Sequence, residues 1–203
     1  MIRNIAVLVV GLLIVSAGSA RAQDAEPGPS VIEVTIMPVG AAFFTSKGAS
    51  PSFGSYGFGT AFTYNINSVV GIEGELASML ATTSDLQFGS LDHHIKAPNM
   101  LSYTANAVVA LKRGHRVVPY ATVGFGGLTM YERGDLGITS DKTFVSGNLG
   151  GGLKWYAKNN RWGLRGDYRF GATRGKESAP VFFGRDTRYV NRIYGAVIIN
   201  AVR

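Results

Sequence analysis

Large apolar and small or polar side chains alternate along most of the 203-residue chain, and this alternation constrains its fold most strongly. In segment 54–64 (GSYGFGTAFTY), four aromatic residues occupy even positions, and every odd position holds serine, glycine, alanine or threonine. The period recurs in segments 69–80 and 162–171, and no apolar stripe at helical spacing competes with it after residue 30. Successive side chains of a strand point to opposite sides, so a period of two predicts β-strands with one apolar face. The sequence therefore predicts an all-β fold.

The N-terminus has the features of an export signal. Arg3 precedes an apolar run over residues 5–17, and a small-residue stretch with an A-x-A pattern ends at Ala22. These features are typical of a cleaved secretory signal peptide, and the apolar run is shorter than the roughly 20 residues that span a bilayer. An uncleaved membrane anchor is the alternative. We expect a signal peptide over residues 1–22, a flexible periplasmic lead-in over 23–30 and one barrel domain over 31–203.

The connections between the predicted strands alternate in length. Three connections are short turns, near residues 66–68, 113–115 and 157–161, whereas the other four are longer loops. An even number of strands, with short turns on the side of both termini and long loops opposite, is the pattern of an outer-membrane β-barrel. The predicted strands are 31–44, 54–65, 69–80, 101–112, 116–130, 142–156, 162–172 and 190–202. The predicted long loops are 45–53, 81–100, 131–141 and 173–189.

The small residues on one face of these strands suggest which face points inward. The interior of an eight-stranded barrel is tight, so we expect glycine, alanine, serine and threonine inside and the bulky residues toward lipid. A soluble barrel with an apolar interior is the alternative. Closure in lipid requires the first strand to pair with the last. Pro38 and Pro119 each remove a ladder donor, which a barrel tolerates at a bulge or a strand end.

Aromatic residues crowd the strand ends beside the three short turns. Such residues are enriched at the interface between lipid and water, where one end of the ring is apolar and the other is wet. The interface aromatics predicted on this ground are Tyr64, Tyr120, Trp155, Tyr156 and Trp162.

Several stretches of the predicted strands match a known family pattern. They are VPYATVGFG at 118–126, NLGGGLKWY at 148–156, LRGDYRF at 164–170 and RIYGAV at 192–197. In order and spacing these stretches resemble the small outer-membrane β-barrel family, the porin-like and OmpA-type domains of Gram-negative bacteria. The resemblance implies an eight-stranded antiparallel up-and-down transmembrane barrel in the outer membrane. It also implies assembly with periplasmic chaperones and the barrel-insertion machinery, although this chain ends in Arg203 where the family usually has an aromatic residue.

The few charges within the predicted strands fall on the small-residue face. Unpaired charges in a narrow lumen would cost several kcal/mol each, so we expect them to pair across the barrel. The expected result is a salt-bridge network that plugs the lumen, and a gated ion or small-solute path through the same charges is the alternative. The charges of this predicted network are Glu73, Glu75, Lys154, Arg165, Asp167 and Arg169.

The last long loop combines cations with aromatic residues. We expect it to contact a partner or the anionic lipopolysaccharide surface, and the alternative is a loop that packs over the barrel mouth. The candidate surface residues are Arg174, Lys176, Phe182, Phe183, Arg185 and Arg188. Cations at the short turns can meet lipid phosphates or simply solvate the turns. The cations are dispersed and the chain is exported, so we expect no nucleic-acid partner, and we expect a monomer.

Catalytic motifs are missing from the sequence. It contains no cysteine, no phosphate-binding glycine loop and no G-x-S-x-G motif, so we expect neither an enzyme nor a cofactor or metal site. His93 and His94 in the second long loop are interpreted as solvated residues rather than metal ligands. The predicted function is a structural or surface-interaction role through the long loops. A narrow pore is the alternative, and a lipid-binding periplasmic barrel is the third possibility.

Overall fold

A computed structural model describes residues 28–46, 52–81, 83–88, 91–111, 116–136, 138–175, 179, 183, 184 and 186–202. Its strands are β1 (Ile32–Ser46), β2 (Phe53–Asn65), β3 (Val70–Ala81), β4 (Thr83–Phe88), β5 (Leu91–Lys96), β6 (Met100–Ala110), β7 (Val117–Met130), β8 (Lys142–Tyr156), β9 (Trp162–Thr173) and β10 (Arg188–Val202). A short 3-10 turn covers Gly134–Leu136.

Eight of these strands form one closed antiparallel barrel in the order β1-β10-β9-β8-β7-β6-β3-β2. This confirms the predicted fold class, and every predicted strand boundary lies within two residues of the observed one. Strands β4 and β5 form a separate two-stranded hairpin inside the predicted 81–100 loop, which the sequence analysis did not anticipate. Among the described residues, no helix has the length and apolar character needed to cross a membrane.

The two ends of the barrel differ in the length of their connections. At one end, hereafter the short-turn end, the strands are joined through residues 66–69, 111–116 and 157–161. At the other, the long-loop end, the connections are residues 47–52, 82–99, 131–141 and 174–187. In outer-membrane barrels the short turns are periplasmic and the longer loops are extracellular.

Alternate residues of each strand face the outside and the inside of the barrel, as the sequence predicts. Phe125 is 73% exposed on the outside, and Phe58, Tyr168 and Ile193 are also exposed there. The charged and hydroxyl side chains at the intervening positions are buried inside the barrel. The apolar face is therefore on the exterior, and the alternative of a soluble barrel with an apolar interior is wrong.

Small residues let large neighbours lie flat on this exterior wall. The ring of Tyr103 on β6 covers Gly127 on β7, where a Cβ atom would lie 2.5 Å from the Tyr103 hydroxyl oxygen. A larger residue at position 127 would push the ring outward. Gly127 is thus required by the packing of Tyr103 rather than by its backbone conformation.

Pro38 and Pro119, the two prolines within the strands of the barrel, lie where a missing N–H donor disrupts the backbone hydrogen bonds least. The pairing of β1 shifts register around Pro38 against both neighbouring strands, between Ile36 and Val39 on one side and between Met37 and Gly40 on the other. The Tyr56 hydroxyl donates a hydrogen bond to the Pro38 carbonyl. Pro119 lies near the start of β7. Both positions fit the requirement for a bulge or a strand end.

Asparagine side chains fasten the short-turn end where β1 meets β10. The backbone N–H of Gly28 donates to Oδ1 of Asn160 over 2.9 Å, and Nδ2 of Asn200 donates to the Asn160 carbonyl over 2.9 Å. Nδ2 of Asn65 donates to the Ser30 carbonyl over 2.6 Å. Asn160 is 4% exposed and adopts a positive φ of 49°, a conformation that asparagine tolerates. Residues 28 and 30, which the sequence analysis places in a flexible lead-in, are held by these bonds.

Replacing Asn160 by alanine should loosen this fastening. Asn160→Ala removes the side-chain acceptor for Gly28 and places alanine at a positive φ, so we expect a loss of about 1–3 kcal/mol in unfolding free energy. Hydrogen–deuterium exchange in detergent micelles should accelerate at residues 28–36 and 196–202. The matched control is Ser68→Ala, an exposed residue of another short turn. Equal exchange in the two variants would contradict the role of Asn160.

Candidate functional site

Among the described residues, a cluster of buried charged side chains spans the lumen of the barrel. Glu73 and Glu75 lie on β3, and Arg165, Asp167 and Arg169 lie on β9. In the circular strand order, β3 and β9 are separated by four steps in either direction, so they face each other across the barrel. The period of two turns all five side chains inward, where each is at most 4% exposed.

Two arginines of β9 link the carboxylates of both strands. Nη1 and Nη2 of Arg165 lie 2.5 Å and 2.7 Å from carboxylate oxygens of Glu73 and Asp167, respectively. Arg169 contacts Glu73 at 2.7 Å, Glu75 at 2.9 Å and Asp167 at 3.1 Å. Each guanidinium therefore bridges at least two carboxylates, which compensates for the cost of removing its charge from water.

Two further ion pairs extend the cluster along the lumen. Nζ of Lys154 on β8 lies 2.5 Å from Glu33 on β1, and Nη1 of Arg192 on β10 lies 3.0 Å from Glu75. The sequence analysis included Lys154 but missed Glu33 and Arg192, although Glu33 shares the inward parity of Thr35. Four carboxylates now face four cations within the cluster, so it carries no net formal charge.

Tyrosine hydroxyls fill the gaps between the ion pairs. The Tyr120 hydroxyl donates to Asp167 and accepts a 2.7 Å hydrogen bond from Nε of Arg165. The hydroxyls of Tyr156 and Tyr194 donate to Glu33 and Glu75 over 2.7 Å and 2.9 Å. These contacts satisfy carboxylate lone pairs that the cations leave open.

The assignment of Tyr120 and Tyr156 to the exterior aromatic girdle is therefore wrong. Trp155 is exposed on the outside, so its neighbour Tyr156 must point inward, and Tyr120 shares the inward parity of buried Val118. The other three predicted aromatics, Tyr64, Trp155 and Trp162, lie on the exterior. The rings of Trp155 and Trp162 meet edge to face with centroids 5.5 Å apart.

An amide pair continues the polar packing beyond the charges. Nδ2 of Asn148 on β8 donates to Oδ1 of Asn106 on β6 over 3.1 Å, passing over the intervening strand β7. This contact is possible because Gly124 occupies the position between them on β7. A Cβ atom at position 124 would lie 1.9 Å from Oδ1 of Asn106. Nδ2 of Asn106 in turn lies 3.4 Å from Glu73, which joins the amide pair to the charge cluster.

Apolar residues close the lumen at both ends. Val118, Ile198 and the ring of Tyr156 pack together toward the short-turn end. Toward the long-loop end, the loop residues Ala97, Ile138 and Phe183 join strand residues in a larger apolar cluster. The members of that cluster are Ala42, Phe44, Phe53, Met79, Ala97, Met100, Leu128, Met130, Ile138, Phe144, Phe183 and Val190. We call this cluster the apolar cap.

Two residues that the sequence analysis assigns to the surface lie at the apolar cap: Phe183 belongs to it, and Arg188 packs against it. Phe183 stacks on Phe144 with ring centroids 4.5 Å apart, and the Arg188 guanidinium lies 5.1 Å from the ring centroids of both Phe53 and Phe183. Nε of Arg188 donates to the Phe183 carbonyl over 2.8 Å. Neither side chain is exposed, so the prediction that they form a free surface is wrong. Arg188 begins β10 instead of lying in the loop, and its buried side chain contacts Phe183.

The remaining loop candidates have different outcomes. Arg174 is exposed immediately after β9, whereas Lys176, Phe182 and Arg185 lie outside the described residues. His93 and His94 are on β5, opposite Leu86 and Asp85 in the hairpin. Within the described ranges, no group of three or more potential ligands is arranged to hold a metal ion.

Comparisons with known proteins agree with this architecture. A family model described as "Outer membrane protein beta-barrel domain" matches residues 8–187. The crystal structure of Neisserial surface protein A (NspA) has a TM-score of 0.59 at 18% identity, with 84% of this chain and 97% of NspA covered. The outer membrane protein OprG from Pseudomonas aeruginosa has a TM-score of 0.51 at 15% identity, with 87% and 98% covered. A search among curated proteins gave no match.

Removing one cation from the cluster should destabilise the barrel strongly. Arg169→Met leaves Glu73, Glu75 and Asp167 short of a buried positive charge, and breaking such a pair costs about 3–5 kcal/mol. Urea unfolding of the protein refolded into phospholipid vesicles measures this loss. The matched control is Arg174→Met, an exposed arginine that immediately follows the same strand and should change stability by less than about 1 kcal/mol. Similar losses in the two variants would show that the cluster does not stabilise the fold.

Proposed function

We propose that this chain, which belongs to the outer membrane protein beta-barrel domain family, has a structural or surface-interaction role through its long loops. It performs this role without catalysis and without conducting solutes. The observation that carries the proposal is the filled lumen, in which paired charges occupy the centre and apolar clusters close both ends.

The arrangement of the charges argues against the alternative of a narrow pore. Arg165 and Arg169 each make several short contacts to carboxylates on the opposite wall or on their own strand. A solute path would require these contacts to separate inside a low-dielectric interior, where unpaired charges are costly. Eight-stranded barrels in general have interiors that side chains fill. The surfaces left for interaction are then the long loops.

Lipopolysaccharide is the partner that we propose for the long-loop end. Arg174 is exposed there, and the same loop contains Lys176 and Arg185 in its sequence. Burial of Phe183 in the apolar cap anchors this loop and leaves its cations as the groups best suited to meet anionic phosphates. We further propose that the protein acts as a monomer after export with its signal peptide, periplasmic chaperones and the insertion machinery.

Hydrogen exchange in defined bilayers tests the lipopolysaccharide interaction. The barrel is placed in phosphatidylethanolamine bilayers with and without lipopolysaccharide, and exchange is followed at residues 131–141 and 174–187. We expect lipopolysaccharide to slow exchange of the wild-type loops, because bound phosphates restrict the cationic side chains and their backbone. The variant Arg174→Gln/Lys176→Gln/Arg185→Gln, called the long-loop triple variant, should lose this protection.

The matched control carries the same loss of charge at the other end of the barrel. Arg116→Gln/Lys158→Gln/Arg161→Gln, called the short-turn triple variant, should keep the protection of the long loops. Unchanged exchange of the wild-type loops on addition of lipopolysaccharide would overturn the proposed partner. Protection that persists in the long-loop triple variant would overturn the role of these cations.

A further inference from the structure

Among the described residues of the short-turn end, exposed cations have no carboxylate that balances their charge. Arg116, Lys158 and Arg161 are exposed there, and no ion pair joins them to another described residue. The described residues of the short-turn connections include neither aspartate nor glutamate. The carboxylate of Glu33, inside the lumen near the short-turn end, is already paired with Lys154 and is fully buried.

Backbone hydrogen bonds bring these three cations onto one side of the barrel. The Arg116 carbonyl accepts from the N–H of Tyr156 over 2.8 Å, which places Arg116 beside the end of β8. The Trp162 carbonyl accepts from the N–H of Ala157 over 3.0 Å and closes the turn that contains Lys158 and Arg161. The cations thus lie across three neighbouring strands, β7, β8 and β9, within roughly 10 Å of sheet width.

An aromatic pair on the lipid-facing wall neighbours the cations in chain and register, since Arg161 precedes Trp162 and Val117, the residue after Arg116, pairs with Trp155. Trp155 and Trp162 are 36% and 42% exposed, and their rings meet with centroids 5.5 Å apart. Tryptophan prefers the level of the lipid headgroups, where its ring contacts acyl chains and its indole N–H contacts polar groups. Arg161 precedes Trp162 in the chain, so the cations lie at the headgroup level of the leaflet nearest the short turns.

The long-loop end has a different balance of charge. Among its described residues, Glu132, Asp141 and Asp186 accompany Arg133 and Arg174. Within the part of the chain that the structure describes, exposed cations without carboxylates are therefore found at the short-turn end, where the tryptophan pair also lies. Cations at this level attract anionic lipid, with each lysine or arginine near the surface strengthening binding.

We propose that Arg116, Lys158 and Arg161, together with Trp155 and Trp162, form a binding site for the headgroup phosphate of an anionic phospholipid. The guanidinium and ammonium groups contact the phosphate oxygens, and the indole rings pack against the first part of the acyl chains. The site lies on the outer wall of β7, β8 and β9 in the leaflet nearest the short turns. Its partner is the lipid itself, and the site does not depend on what the long loops bind.

Native mass spectrometry of the refolded barrel tests this site. The protein is released from nanodiscs of phosphatidylethanolamine that contain a minor fraction of phosphatidylglycerol, and the retained lipids are identified. We expect the wild-type barrel to retain phosphatidylglycerol preferentially. The short-turn triple variant should lose this preference, by about fivefold for each removed charge.

The long-loop triple variant is the matched control, since it removes the same number of cations from the opposite end. It should retain phosphatidylglycerol like the wild type. All variants are compared after a check of the heat-modifiable gel shift, and the substituted residues with described side chains are exposed, so the fold should persist. The single variant Lys158→Gln provides the same readout if the triple variant refolds poorly.

Three results would overturn the proposal. One is equal retention of phosphatidylglycerol by the wild type and the short-turn triple variant. Another is an equal loss in the long-loop triple variant, which would indicate a general effect of net charge. The third is displacement of the lipid preference by inorganic phosphate alone, which would indicate a free-phosphate site. A preference that weakens with salt in the wild type and is absent from the short-turn triple variant supports the proposal.

Discussion

The ion pairs between Glu73 on β3 and the two arginines on β9 are the interaction on which the rest of the barrel depends. They cross the full width of the lumen and join strands that share no backbone hydrogen bond. Because the large apolar side chains face outward, the interior cannot be an apolar core along its whole length. Charged side chains fill the middle of the lumen instead, and their burial is tolerated because each charge is paired. A shift of either strand by one residue would turn its charges toward lipid, so the cluster also fixes register.

The apolar clusters at the two ends of the lumen belong to the same arrangement of buried ion pairs. Ion pairs are stronger in a low-dielectric environment than in water, and the charges lie between two buried apolar clusters, the apolar cap and the cluster around Ile198. Asn160 and Asn200 add hydrogen bonds where the first and last strands meet at the short-turn end. Paired charges and apolar side chains thus occupy the lumen in the described part of the barrel, which supports the proposal that other molecules bind to its outer wall, loops and turns.

Much of this architecture was predictable from the period of two. It placed eight strands and put six charges on one face, and the small residues of that same face predicted that it points inward, with the apolar face on the exterior. The assignment of Tyr120 and Tyr156 to the exterior was wrong: both lie near a short turn, but their parity along the strand points them inward. Glu33 and Arg192 had inward parity and could have been included in the predicted cluster.

Other features depend on information that alternation does not contain. The pairing of Arg165 with Glu73 requires the closed circular order, which brings β3 opposite β9. The composition of the last long loop did not reveal that Phe183 folds back onto Phe144. The hairpin of β4 and β5 consists of strands of six residues each, which are too short to show a clear period.

We infer that the lumen is a filled core and not a passage for ions. Single-channel recording of the refolded wild-type barrel in planar phospholipid bilayers tests this claim most directly, with the heat-modifiable gel shift as the check on folding. We expect no stable conductance steps, because the paired charges and the apolar cap occupy the lumen among the described residues. A steady ohmic conductance from correctly folded protein would contradict it.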